Sequence, residues 1–194
     1  MRGATWSVVL ALAAAMLIGA LYAVPYPLPN NLWSPGSLTM EAFNTSAVGF
    51  LPSFTVEAVL GNNIRSLVLA GLLAVFSFGS LAVVLLMAPI GIIGFFTYQI
   101  AHWGLDPWLF LGTFVLPHGI FELPAAILAT AAALRLGASV IARPPRMTVG
   151  EGWLAALTDF VKVFVFVTLP LLLIAAFVEV NFTMRVVLWA YGVR

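Results

Sequence analysis

The sequence predicts an all-α, polytopic membrane protein with about five crossings, one of them broken or re-entrant, and three observations carry that prediction. Hydrophobic residues fill 63% of the 194 positions and charged residues only 8%, too little polar surface to coat a soluble domain. Mean hydropathy is +1.12. Apolar runs long enough to cross a bilayer as helices recur along the chain, divided by Pro-, Asn- or Arg-bearing breaks. The same composition excludes other classes. A formal net charge of +1 leaves no basic face for nucleic acid. The absence of cysteine rules out disulfides, thiolate nucleophiles and Cys-based metal sites.

Residues 6–24 form the first run, about 19 residues or roughly 28 Å of helix, which matches a bilayer core. It stops at Pro25, Pro27 and Pro29. A cleaved leader is the rival reading, but the run exceeds a usual leader core. Residues 25–61 are rich in Pro, Asn and Ser and carry Glu41 and Glu57 without Lys or Arg, so they read as an external loop, with a short surface helix expected after Thr39. Asn62 and Asn63 are expected to open the second span, 64–87, with Gly71 and Gly79 as close-packing positions. Residues 89–116 divide at WGLDPW (103–108) into two pieces, each short for a crossing, an aromatic interfacial turn between them. Either a thin span precedes a re-entrant half-helix or one broken span crosses; both give one net crossing.

Pro117 suits a helix start, because its missing N–H would be unpaired there; that helix is expected to run to about Ile141 and end at RPPR (143–146). Thr148 and Glu151 have capping-box spacing and open a last helix expected to reach about Val178, with Pro170 as a kink. The tail, 181–194, reads as too short to span. Arg2 and RPPR place the N-terminus and the 142–152 loop in the cytoplasm of a cell-membrane protein. The acidic loop and the acceptor triplets at Asn44 and Asn181 then fall outside. No internal repeat divides the chain, and residues 1–194 read as one integral membrane domain.

Ionisable groups inside spans are functional candidates. His118 and Glu122 stand four residues apart in LPHGIFELPAA (116–126), on one helix face about 6 Å along the axis. Three uses are open: a helix-pinning hydrogen bond, a proton relay or ligand site, or two legs of a metal site. The metal reading lacks ligands, since His102 is the one other histidine, so no metal is assigned. Arg65, with Asn62 and Asn63, sits at a similar depth; a bridge among Asn63, Arg65, His118 and Glu122 would satisfy all four, and the bland alternative is that Arg65 snorkels to phosphates. Asp159 and Lys162 can pair with each other. Glu179 is either solvated or joins the outer cluster. No Ser-His-Asp triad spacing and no phosphate-cradling glycine loop is present, so the chain is read as a non-enzyme without a cofactor.

LPHGIFELPAAILATAAALRLG (116–137) resembles the most distinctive segment of the stage II sporulation protein M family of bacterial and archaeal membrane proteins. Asn62-Asn63-Ile64-Arg65 resembles its paired-asparagine motif, and IAAFVEV (174–180) its closing stretch, in the family's order. One departure is visible: the family commonly shows an asparagine and glycine after the second span, where this chain has Ala88-Pro89 before Gly91 and Gly94. The resemblance implies an all-helical multi-pass fold and a non-catalytic scaffold, since the named member works with peptidoglycan-degrading partners during engulfment. The expectation is therefore a membrane scaffold or assembly subunit, partnered by lipid and by proteins of a membrane complex or by its own copies. The alternative is a small permease or export component using the His118–Glu122 pair.

Overall fold

The computed structural model describes residues 2–28, 55–142 and 147–191. Five helices long and apolar enough to cross a membrane account for almost all of them. They are α1 (Arg2–Ala23), α2 (Val56–Phe76), α3 (Ser80–His102), α4 (Pro107–Ala138) and α5 (Val149–Ala190). The expected all-α, five-span architecture is present, and several boundaries differ from those read in the sequence. The surface helix expected after Thr39 and the RPPR motif lie outside the described residues.

The second span begins earlier and ends earlier than its polar residues imply. Thr55 caps α2 by accepting a hydrogen bond from the Ala58 backbone N–H (3.2 Å), and Glu57 in the first turn favours the helix N-terminus electrostatically. Asn62 and Asn63 therefore lie inside α2. The apolar run 64–87 is cut at Ser77-Phe78-Gly79, where Phe78 (φ 53°) and Gly79 (φ 93°) enter the left-handed region and Gly79 N–H closes onto the Ala74 carbonyl (2.8 Å). Gly79 thus makes the turn and also packs closely, against the backbone of Leu134, and Gly71 packs against the ring of Phe160.

Residues 89–116 are shared between two full spans. Pro89 lies within α3, and WGLDPW is the link from α3 to α4, with Asp106 accepting from the Trp108 N–H (2.8 Å) to start α4. Pro117 is interior, not a start. It follows a π turn, Leu111–Val115, in which the Leu116 N–H reaches back five residues to the Leu111 carbonyl. Pro170 follows a second π turn, Phe164–Thr168, of the same kind. In each case the widened turn precedes the ring that would otherwise collide with the preceding turn of helix. The Thr148–Glu151 capping box forms as expected. The last helix outruns Val178, passing a third π turn, Glu179–Thr183, and ending at Ala190, so much of the tail is helical. Asn181 lies in that helix and donates to the Phe177 carbonyl (2.9 Å).

α4 is the hub. Half of its most apolar stretch is buried, against 17–22% in the other four spans. Ala125, Ala126, Ala129, Ala131, Ala132 and Ala133 are all buried; their small side chains let neighbours approach α4 from several directions. Gly137 rests on the backbone of Ala74, Phe78 and Gly79. α5 runs antiparallel to α4, with contacts from Arg135–Asp159 through Thr168–Ala125 to His118–Thr183. Asp159 thus pairs with Arg135 (3.6 Å) rather than with Lys162. α1 and α3 run side by side in one direction. Gly19 and Gly94 meet the backbones of Gly91 and Met16, and Gln99 and Trp103 hold the backbone of 26–28.

Candidate functional site

Three ionisable side chains converge where α4 meets the far end of α5. His118, Glu122 and Glu179 each offer a ligand-type atom, all within 4.8 Å of one another, and each is partly buried. His118 Nε2 lies 3.9 Å from Glu122 Oε2, with the two side chains only 14% and 31% exposed, so the pair faces protein more than surroundings. The i, i+4 spacing brings these two together, as the sequence implies.

Glu179 arrives from 57 positions further along the chain through the antiparallel packing of α5. It begins the π turn whose last residue, Thr183, is buried against His118: Nδ1 and Thr183 Oγ1 are 3.3 Å apart. A π turn inserts a residue into the helical cycle and so re-aims the side chains on it. Thr183, absent from the sequence-based set, is the residue that orients the imidazole. Its hydroxyl can donate to the Val178 carbonyl (3.5 Å), in which case the imidazole Nδ1–H donates to Thr183 Oγ1 and Nε2 keeps its lone pair on the Glu122 side.

On its other side Glu122 opens into a cavity of about 320 Å³ lined by Asn62, Asn63 and Ser66 of α2, Pro89 of α3 and Thr130 further down α4. Thr130 is fully buried, and its hydroxyl has no hydrogen-bond partner among the described residues. Asn62 and Asn63 are therefore near Glu122, as expected. Arg65 is not part of the site: it is exposed, and among the described residues it makes no ion pair. The expected bridge from Arg65 to Glu122 does not form: the cavity beside Glu122 is lined by Asn62, Asn63 and Ser66 of α2, and Arg65 stands exposed outside that lining. His102 stacks on Tyr98, with ring centroids 6.2 Å apart, and takes no part.

The arrangement can accept protons, coordinate a cation or hold a hydrogen-bonding ligand at a polar point enclosed by apolar helices. No match is found among curated proteins or solved structures. The model of one family, stage II sporulation protein M, matches residues 7–184, which spans from within α1 to within α5 and takes in both asparagines and all three members of the His-Glu-Glu cluster. Together with the five apolar helices, that match identifies a multi-pass membrane protein, and the chain belongs to the stage II sporulation protein M family.

Proposed function

We propose that the chain is a non-catalytic scaffold or assembly subunit of a larger complex in the cell membrane, with its N-terminus on the cytoplasmic side. The observation that carries this reading is the distribution of burial. One central helix, half buried along its most apolar stretch, holds four others in which only 17–22% of the corresponding residues are buried. Such a body offers long faces for other transmembrane helices, which associate through packing and small residues rather than through the hydrophobic effect. The orientation is supported by the positive-inside rule applied to Arg2 and the RPPR segment. Gentle extraction from native membranes should recover the chain with the same membrane-protein partners in repeated preparations. Recovery of the lone chain, with cross-linking before extraction giving nothing further, would reject the reading.

A second reading, a small permease or export component, is favoured by the cavity between α2, α3 and α4 that reaches Glu122. Polar sites near broken helices are where transporters bind substrates. Proteoliposomes holding the wild-type chain should then show a flux of protons or a small solute that Glu122→Gln abolishes. Equal flux for both proteins, or none, rejects it.

A further inference from the structure

We infer that His118, Glu122 and Glu179 form a binding site for a divalent transition metal, with Thr183 as the residue that orients its imidazole ligand. The site goes beyond both functional readings above, since either a scaffold or a permease can carry it.

The donor set is one imidazole and two carboxylates from two helices, with the donor atoms within 4.8 Å of one another. Metal–donor distances of about 2.0–2.2 Å place the donors of one ion roughly 3.0–3.5 Å apart, a contraction that rotation of the two carboxylates can supply. Imidazole with carboxylates suits Zn²⁺, Mn²⁺ or Fe²⁺. The histidine is held as a ligand is held: Nδ1 against the Thr183 hydroxyl (3.3 Å), leaving Nε2 on the Glu122 side (3.9 Å). Fixing one ring nitrogen sets the tautomer and aims the other.

Charge balance points the same way. Among the described residues, no lysine or arginine forms an ion pair with Glu122 or Glu179. Two carboxylates side by side among apolar helices repel strongly and are poorly solvated, and a dication cancels both charges at once. Beside Glu122, the one member of the cluster that lines it, the cavity supplies room for the water that would complete the coordination shell. The same cavity carries the buried Thr130 hydroxyl, which has no hydrogen-bond partner among the described residues and so calls for a polar occupant of that cavity. Asn62, Asn63 and Ser66 line the same space and give a hydrated approach for an ion.

The test uses the full chain in nanodiscs, loaded with Zn²⁺ or Mn²⁺, dialysed and assayed for bound metal by mass spectrometry. About one equivalent per chain is expected, with a fall in melting temperature when a chelator strips it, because a ligand that binds the folded state stabilises it. Glu122→Gln and Glu179→Gln should each abolish retention. Thr183→Val keeps size and charge but loses the hydroxyl, and should weaken affinity about 10–100-fold. Arg65→Gln should bind as wild type. Where a Gln variant does not fold, titration of the wild-type chain with Co²⁺ decides: visible d–d bands that Zn²⁺ quenches support the site. Metal retained equally by the folded Gln variants, no retention by wild type, or no Co²⁺ spectrum overturns the proposal. None of these readouts depends on a partner or on flux, so they separate this site from the functional readings.

Discussion

Alanine at Gly19 or at Gly94 will destabilise the purified protein by about 1–3 kcal/mol each, and alanine at both will release α1 from the bundle. The expectation opposes intrinsic propensity, which favours alanine over glycine in a helix by about 1 kcal/mol. Gly61 supplies the control. It lies within α2, and a Cβ there meets nothing, so Gly61→Ala should be neutral or mildly stabilising. At Gly19 the new Cβ would run into the Gly91 carbonyl, and at Gly94 into that of Met16. Both obstacles are backbone and cannot rotate aside, so the helices must separate. Separation also loosens the other contacts of α1, including buried Val8 and Leu12. Thermal unfolding in detergent measures the effect, and a cysteine pair across α1 and α3 reports the separation. Unchanged melting temperatures for Gly19→Ala and Gly94→Ala would show that the close crossing does not hold α1 in place.

The number of spans was legible because a bilayer demands long apolar runs, and the described residues hold five helices of that kind. Their limits were less so. Where α2 turns into α3 the run 64–87 carries only Ser77, Gly79 and Ser80, small residues that an apolar helix also tolerates; a glycine there reads as a packing position, and Gly79 is both that and the turn. Pro117 and Pro170 read as a start and a kink, yet π turns ahead of them keep both helices continuous. Within the site, the His118–Glu122 pair was visible because i, i+4 spacing is a local geometric fact. Glu179 was named from its depth, as either solvated or part of the cluster, whereas Thr183 was not named; the register of α4 against α5 and the π turn that bring both to His118 leave no local mark in the sequence. Arg65 shows the converse: matching depth along two helices says nothing of direction around them, and it is Asn62, Asn63 and Ser66 that face the cavity with Glu122.

Gln99→Leu will free the segment that follows α1, at a cost of roughly 2–4 kcal/mol, taking about 1–3 kcal/mol for each buried backbone group left unpaired and discounting for partial exposure. Gln99 is fully buried, and one amide serves two backbone groups: Nε2 donates to the Tyr26 carbonyl (2.8 Å) and Oε1 accepts from the Leu28 N–H (3.1 Å). Trp103 Nε1 donates to the Leu28 carbonyl (3.0 Å) one turn on. In apolar surroundings water cannot easily replace these bonds, so leucine, which fits by volume, removes both halves of the clamp. Gln99→Glu separates shape from hydrogen bonding: a carboxylate keeps the acceptor for Leu28 but, when ionised, loses the donor for Tyr26. Its effect should lie on the destabilised side of wild type. Faster proteolysis and hydrogen exchange confined to 24–28 in Gln99→Leu, with the α4–α5 contact at His118 and Thr183 unchanged, are the expected signature. Protection at 24–28 equal to wild type would mean that the Trp103 contact and the α1–α3 glycine crossing hold that segment without Gln99.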